Sequence, residues 1–296
     1  MQASWNPLTD LQLLFQYHFM HNAFLAGTIV AVVAGAVGYY MVLRAQTFAG
    51  HALAHVGFAG AAGALLFGLS PVVGLLVVGI GAAVGMGMLG DRNGSGDAAD
   101  GVAIAAVFTF AIGIGLLFLQ LYPGQAENAY SILFGAVLGI TDTDVETIAA
   151  AGIATLIALT VMARPLLFAS LDPEVAMARG VPVRALSIGF LVLLAFAVAQ
   201  SVQVVGILLI FALLVTPAAT AQRLASRPPV AIALSIALAL LFTWLGIAVA
   251  YFAPYSVVGF YVTTIAFLTY AVVVLLTSER VERAWQSRAH ARSAAA

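Results

Sequence analysis

Phe48-Ala49-Gly50-His51-Ala52-Leu53-Ala54-His55-Val56-Gly57-Phe58-Ala59-Gly60 sets two of the chain's five histidines four residues apart in an otherwise oily run. In a helix this spacing stacks both imidazoles on one face. An imidazole is costly to leave in lipid, so the pair must look into a protein interior, a water-filled cavity or a helix contact. Gly50, Ala52, Ala54, Gly57, Ala59 and Gly60 leave room for a second backbone to come close. The pairs Gly57/Ala61 and Gly60/Ala64 repeat the small-xxx-small spacing of membrane helix contacts. Two readings follow: a metal or proton site at a helix interface, or two structural histidines that hydrogen-bond neighbouring helices.

The surrounding composition puts that helix in a bilayer. Of 296 residues, 63% are hydrophobic and 8% charged, where a soluble domain carries about 25% charged residues. The expectation is an all-α, polytopic helical membrane protein with about eight to ten transmembrane helices. Cysteine is absent, which removes disulfides, iron–sulfur clusters and thiolate zinc sites. All eleven Lys+Arg residues are arginine, so arginine alone sets the topology. A formal net charge of -1 speaks against nucleic acid, which requires clustered basic residues. Residues 1–17 carry no Arg or Lys ahead of the first apolar run, so no cleavable signal peptide is expected.

In chain order, 1–17 reads as an interfacial segment with Trp5 at headgroup level. Long apolar runs then cover roughly 18–43, 48–69, 71–90, 101–121, 145–163, 185–200, 204–222, 230–250 and 257–276. Pro217 is expected to bend or end its helix. Residues 129–140 are apolar but fall well short of the about 20 residues needed to cross. If they do not cross, there are nine spans, with the N-terminus outside and Arg44 and Arg92 inside. If they do, there are ten and those arginines face outward. The positive-inside rule favours nine, and an eight-span arrangement is also open. The transmembrane region is thus 18–277, and 278–296, with Arg280, Arg283, Arg288 and Arg292, reads as a cytoplasmic tail.

Residues 171–184 differ in kind. Asp172, Glu174, Arg179 and Arg184 make this the longest polar stretch between two spans, with Pro173 suited to a first helical turn and Gly180 to a helix end. It reads as a short amphipathic helix outside the bilayer, of the kind that docks a soluble partner. No Gly-x-x-x-x-Gly-Lys-Ser/Thr loop exists, and no HExxH, so the chain is not expected to be an enzyme. No ladder of buried carboxylates marks a proton pump.

Five ordered motifs carry a family resemblance. Phe19-Met20-His21-Asn22-Ala23-Phe24-Leu25-Ala26-Gly27 is the first, and Val42-Leu43-Arg44 followed by Phe48 to His55 the second. Tyr130-Ser131-Ile132-Leu133-Phe134-Gly135 and Asp172 to Pro182 follow. The last is Val204-Val205-Gly206-Ile207-Leu208-Leu209 with Leu214-Val215-Thr216-Pro217-Ala218-Ala219-Thr220-Ala221. From Phe19 to about Leu276 the chain resembles the permease subunit of the zinc/manganese family of bacterial ABC importers.

That resemblance implies a multi-pass protein of the bacterial plasma membrane and a homodimeric pore. It implies two cytoplasmic ATPase subunits docked on the 172–183 helix through Asp172, Glu174 and Arg179, and an extracytoplasmic metal-binding protein. No permanently bound cofactor is expected; the metal is cargo. It also implies that His51 and His55 touch the ion in passage. The family commonly has aspartate at the position of His51. Two imidazoles in its place favour zinc over manganese, since imidazole suits zinc and carboxylates suit manganese. Two facing protomers would offer four nitrogens, the number in zinc's usual tetrahedral shell. Manganese or iron import, and a non-transport membrane scaffold, are the alternatives. Asp142, Asp144 and Glu146 could collect cations at an entrance, or form a solvated turn with an N-cap at Asp142 or Thr143. His18 and His21 read as interfacial residues, and His290 as surface.

Overall fold

The computed structural model describes residues 17–90, 98–121, 139–253 and 257–293. All regular structure among them is helical. In hydrocarbon every backbone polar group must be satisfied within its own segment, and a helix does this without a partner strand. The helices are α1 (His18–Leu43), α2 (Thr47–Leu66), α3 (Pro71–Leu89), α4 (Ala98–Leu121), α5 (Asp142–Leu171), α6 (Pro173–Ala178), α7 (Val183–Leu224), α8 (Pro228–Phe252) and α9 (Val258–Ser293). Among the described residues nine stretches are long and apolar enough to cross, because α7 supplies two, Val183–Val202 and Val205–Leu224.

α1, α2 and both arms of α7 form the buried centre, while α4, α5 and α9 show most of their length to lipid. α2 meets α3 where both backbones lack side chains. A Cβ on Gly60 would run into the carbonyl of Gly74, and one on Gly74 into the carbonyl of Gly60. The small-xxx-small stripe thus serves the α2–α3 contact, with Ala64 alongside. Polar clamps fix α8 to α1: Ser235 Oγ donates to the Gly35 carbonyl at 2.8 Å, and Trp244 Nε1 donates to Thr28 Oγ1 at 2.9 Å.

Two expected breaks move. α7 runs through Pro217 without ending there, and reverses at Gly206, close to the break expected between residues 200 and 204; its φ of 78° and ψ of 163° lie in a region that only glycine occupies freely. α5 likewise continues through Pro165 to Leu171, past the end expected at residue 163. Each proline removes one backbone N–H, and the remaining ladder carries the helix on.

The side on which each helix begins and ends follows from its contacts. His18 and Asn22, on the first turn of α1, meet Asp142 at the start of α5. Arg44, just past the end of α1, meets Ser170 near the end of α5. α2 and α4 run in the same direction, since Phe48 lies by Phe108 and Gly63 by Phe118. The end of α4 and the start of α5 therefore lie on one face, as the nine-span arrangement requires. Residues 129–138, Arg92 and the Tyr130–Gly135 motif lie outside the described residues. Arg44, Arg179, Arg184, Arg223 and Arg227 all fall at the opposite face, which the positive-inside rule makes cytoplasmic. α9 carries on past the membrane as helix to Ser293.

Candidate metal path

α2 begins at the cytoplasmic face, so His51 and His55 lie in its second and third turns, on the side turned towards α4 and α7. Their rings stand 4.6 Å apart, centroid to centroid, at 71°. Phe211 of the second α7 arm lies 4.8 Å from His51, and Phe108 of α4 lies 6.2 Å from His51 and 5.9 Å from His55. Phe48 closes the group from below, 6.4 Å from Phe108. Nδ1 of His51 is buried and has no hydrogen-bond partner among the described residues. The reading of two histidines that hydrogen-bond neighbouring helices therefore fails for that nitrogen. A buried ring nitrogen without a partner is uncommon, because desolvating it costs free energy that nothing returns. What the arrangement offers is two imidazoles on one helix face, walled by aromatic rings.

No third carboxylate or histidine joins them: among the described residues no group of three His, Asp or Glu side chains is placed to share an ion. Among the described residues the pair therefore supplies two imidazoles and no carboxylate. The aromatic wall was not foreseen, since Phe108 and Phe211 belong to helices far along the chain and nothing in their local sequence marks them.

The outer acidic residues are occupied locally. The N-cap of α5 is Thr141, one position before the expected Asp142, and forms a capping box with Asp144. Asp142 Oδ1 accepts from Asn22 Nδ2 at 2.7 Å and lies 2.8 Å from His18 Nε2. Asn22, 4% exposed, also donates to the Ile140 carbonyl at 3.2 Å. Two of the three acids thus hold helix ends together, as the solvated-turn reading has it.

At the cytoplasmic face α6 is a single short helix. Asp172 caps it, accepting from the Val175 N–H at 3.0 Å, so its carboxylate serves the turn itself. At the other end Gly180, with φ of 80°, donates to the Met177 carbonyl at 2.9 Å, and Val181 donates to the Ala176 carbonyl at 3.0 Å. That pair of bonds is the Schellman closure. Ala176 is buried against Ala169 and Val183, which seats α6 on the ends of α5 and α7. Glu174, Val175, Met177 and Arg179 face outward.

A multi-pass bundle with a capped cytoplasmic helix and a histidine pair inside it has the plan of a transporter permease. The chain belongs to the ABC 3 transport family, which it matches over residues 16–277. Streptococcus parasanguinis "Manganese import system permease protein ScaB" is 31% identical over 238 residues, 80% of this chain and 84% of that one. Halalkalibacterium halodurans "Manganese transport system membrane protein MntC" is 30% identical over 222 residues, 75% of each chain. The solved structure of PsaBC from Streptococcus pneumoniae in complex with Fab contains a chain that superposes with a TM-score of 0.78. That chain is 28% identical, with 90% of this chain and 94% of the other covered. The chain is thus a permease subunit of a bacterial ABC metal-ion importer family, a multi-pass protein of the plasma membrane. It has no catalytic motif; ATP hydrolysis in this family resides in a separate subunit.

Proposed function

We propose that this chain is the permease of a manganese importer, in which His51 and His55 contact the ion on its way to the cytoplasm. The observation that carries the reading is the buried, unpartnered Nδ1 of His51 beside His55. The names of the relatives supply the metal. Two copies of the chain form the pore, two ATPase subunits dock on α6, and an extracytoplasmic binding protein delivers the ion. An incomplete ligand set suits transport, because a closed shell would hold its ion too tightly to release it. Glu174 and Arg179 make the docking contacts, and Asp172 shapes the helix that presents them. Uptake by cells lacking their own importer, with and without this gene and its ATPase and binding-protein partners, tests the proposal; equal manganese uptake in both would defeat it.

Zinc is the second reading, favoured by the chemistry of the pair: two nitrogens and no carboxylate among the described neighbours. Purified complex supplied with both ions at buffered free concentrations decides between them.

A further inference from the structure

We propose that Arg44 is a positioning residue that ties the ATPase-docking helix to the histidine-bearing helix. The idea rests on the proposed transport function. Arg44 follows the last turn of α1. Its Nη1 donates to Ser170 Oγ at 3.1 Å and its Nη2 to Ser187 Oγ at 2.5 Å. Ser170 sits on the last turn of α5, and Ser187 lies early in the first arm of α7. The guanidinium therefore grips both legs of the loop that carries α6. It lies 5.9 Å from the centroid of the buried Phe190 ring, and its Nε is buried without a hydrogen-bond partner among the described residues. Among the described residues no carboxylate pairs with it. A half-buried arginine held by two hydroxyls and an aromatic face, with no counter-charge among the described residues, is an expensive way to join helices. An apolar side chain would serve simple packing better.

What Arg44 adds is a rigid corner. Ala45 takes a left-handed φ of 54°, unusual for a residue with a Cβ. The Gln46 N–H donates to the Met41 carbonyl at 2.9 Å, and the Gly50 N–H to the Gln46 carbonyl at 3.0 Å. A Cβ on Gly50 would strike the Met41 sulfur, so the first turn of α2 lies flat against the last turn of α1. His51 is the next residue. Movement of α6 that shifts Ser170 and Ser187 is thereby passed through the guanidinium and the corner to the start of α2.

The chain lacks cysteine, so Phe67→Cys at the exposed end of α2 and Val257→Cys at the same face give a clean spin-label pair. The complete complex with its ATPase is reconstituted in liposomes and given ATP and manganese. ATP should change the label distance in the parent. Arg44→Gln, and independently Ser170→Ala with Ser187→Ala, should abolish that change while ATP is still hydrolysed. Manganese moved per ATP should fall about tenfold, the factor carried by a hydrogen bond from a charged group. The serine pair removes only two hydroxyls and keeps the test open if Arg44→Gln does not assemble. A distance change and transport ratio equal to the parent's in the serine variant would overturn the link, as would a parent whose α2 does not respond to ATP. A parent that responds to ATP but moves no manganese defeats the transport assignment instead, and the label distance still judges Arg44.

Discussion

The ring of Phe211, on the second arm of α7, stands 4.8 Å from the ring of His51 and at 66° to it. It is the closest aromatic wall of the histidine pair, and it comes from the arm that Gly206 turns back towards α2. Phe211→Leu keeps the bulk and removes the ring contact. Such contacts are worth about 0.5–1.5 kcal/mol, so the apparent KM for metal should rise by a factor between about two and about ten, with protein yield unchanged. Uptake kinetics of the purified complex would show it.

His51→Asp restores the family's common residue and exchanges a borderline nitrogen for a hard, charged oxygen. The manganese-to-zinc uptake ratio should rise. His55→Ala deletes a ligand and should lower transport of both ions by at least about tenfold, since even outer-shell losses reach that size. Competition uptake by the isolated permease–ATPase complex keeps the binding protein's own preference out of the measurement. An unchanged ratio for His51→Asp would remove the pair from selectivity.

Sign reversal at the docking surface should act differently from loss of its cap. Glu174→Arg and Arg179→Glu alter exposed charges and should leave the melting temperature alone while uncoupling ATP hydrolysis from uptake. Asp172→Ala removes the cap on Val175 N–H and should destabilise the turn by about 0.5–2 kcal/mol. Asp172→Asn should recover most of that. Normal coupling ratios in both charge variants would place the ATPase contact elsewhere.

Gly206→Ala forces a Cβ into backbone at φ 78°, ψ 163°, at a cost of about 1–3 kcal/mol. Thermal unfolding in detergent should show a lower midpoint. An unshifted midpoint would mean that the turn relaxes without strain.

At the outer face, Asn22→Leu leaves the Ile140 carbonyl and Asp142 without the amide that joins α1 to α5. A buried acceptor stripped of its donor costs about 1–3 kcal/mol. The melting temperature should fall, whereas His18→Gln, at an exposed contact, should barely move it.

The spans were legible because crossing a bilayer imposes a length and a hydropathy that any apolar run must display. The start and the stop of α6 were legible too, since Pro173 and Gly180 act locally, although the helix ends at Ala178 and does not run to residue 183 as expected. The turn in α7 was legible only as a break between spans near residues 200–204, where Gln200, Ser201 and Gln203 interrupt the oily run; nothing local singled out Gly206 as the turning residue, and Pro217, which looked like a breaker, was carried through. Nor were the partners of the buried polar groups visible. Arg44 meets Ser170 and Ser187 across 126 and 143 residues of sequence, and Phe211 reaches His51 only after the chain has folded back. Spacing reveals which residues share a face; it says nothing about what faces them.

The gathering of the described arginines at one end, in a chain without lysine, has a practical corollary for proteolysis. Trypsin cuts only after those two residue types. Added to right-side-out vesicles, it finds no described cleavage point on the outer surface and should leave the polypeptide whole. Added to inverted vesicles, it meets Arg179 in an exposed turn, with Arg184 and Arg223 exposed on the same face, and should cut the polypeptide into several fragments within a bundle still held together by its membrane contacts. Digestion from each side in turn would then report the orientation of the native protein with no engineered tag.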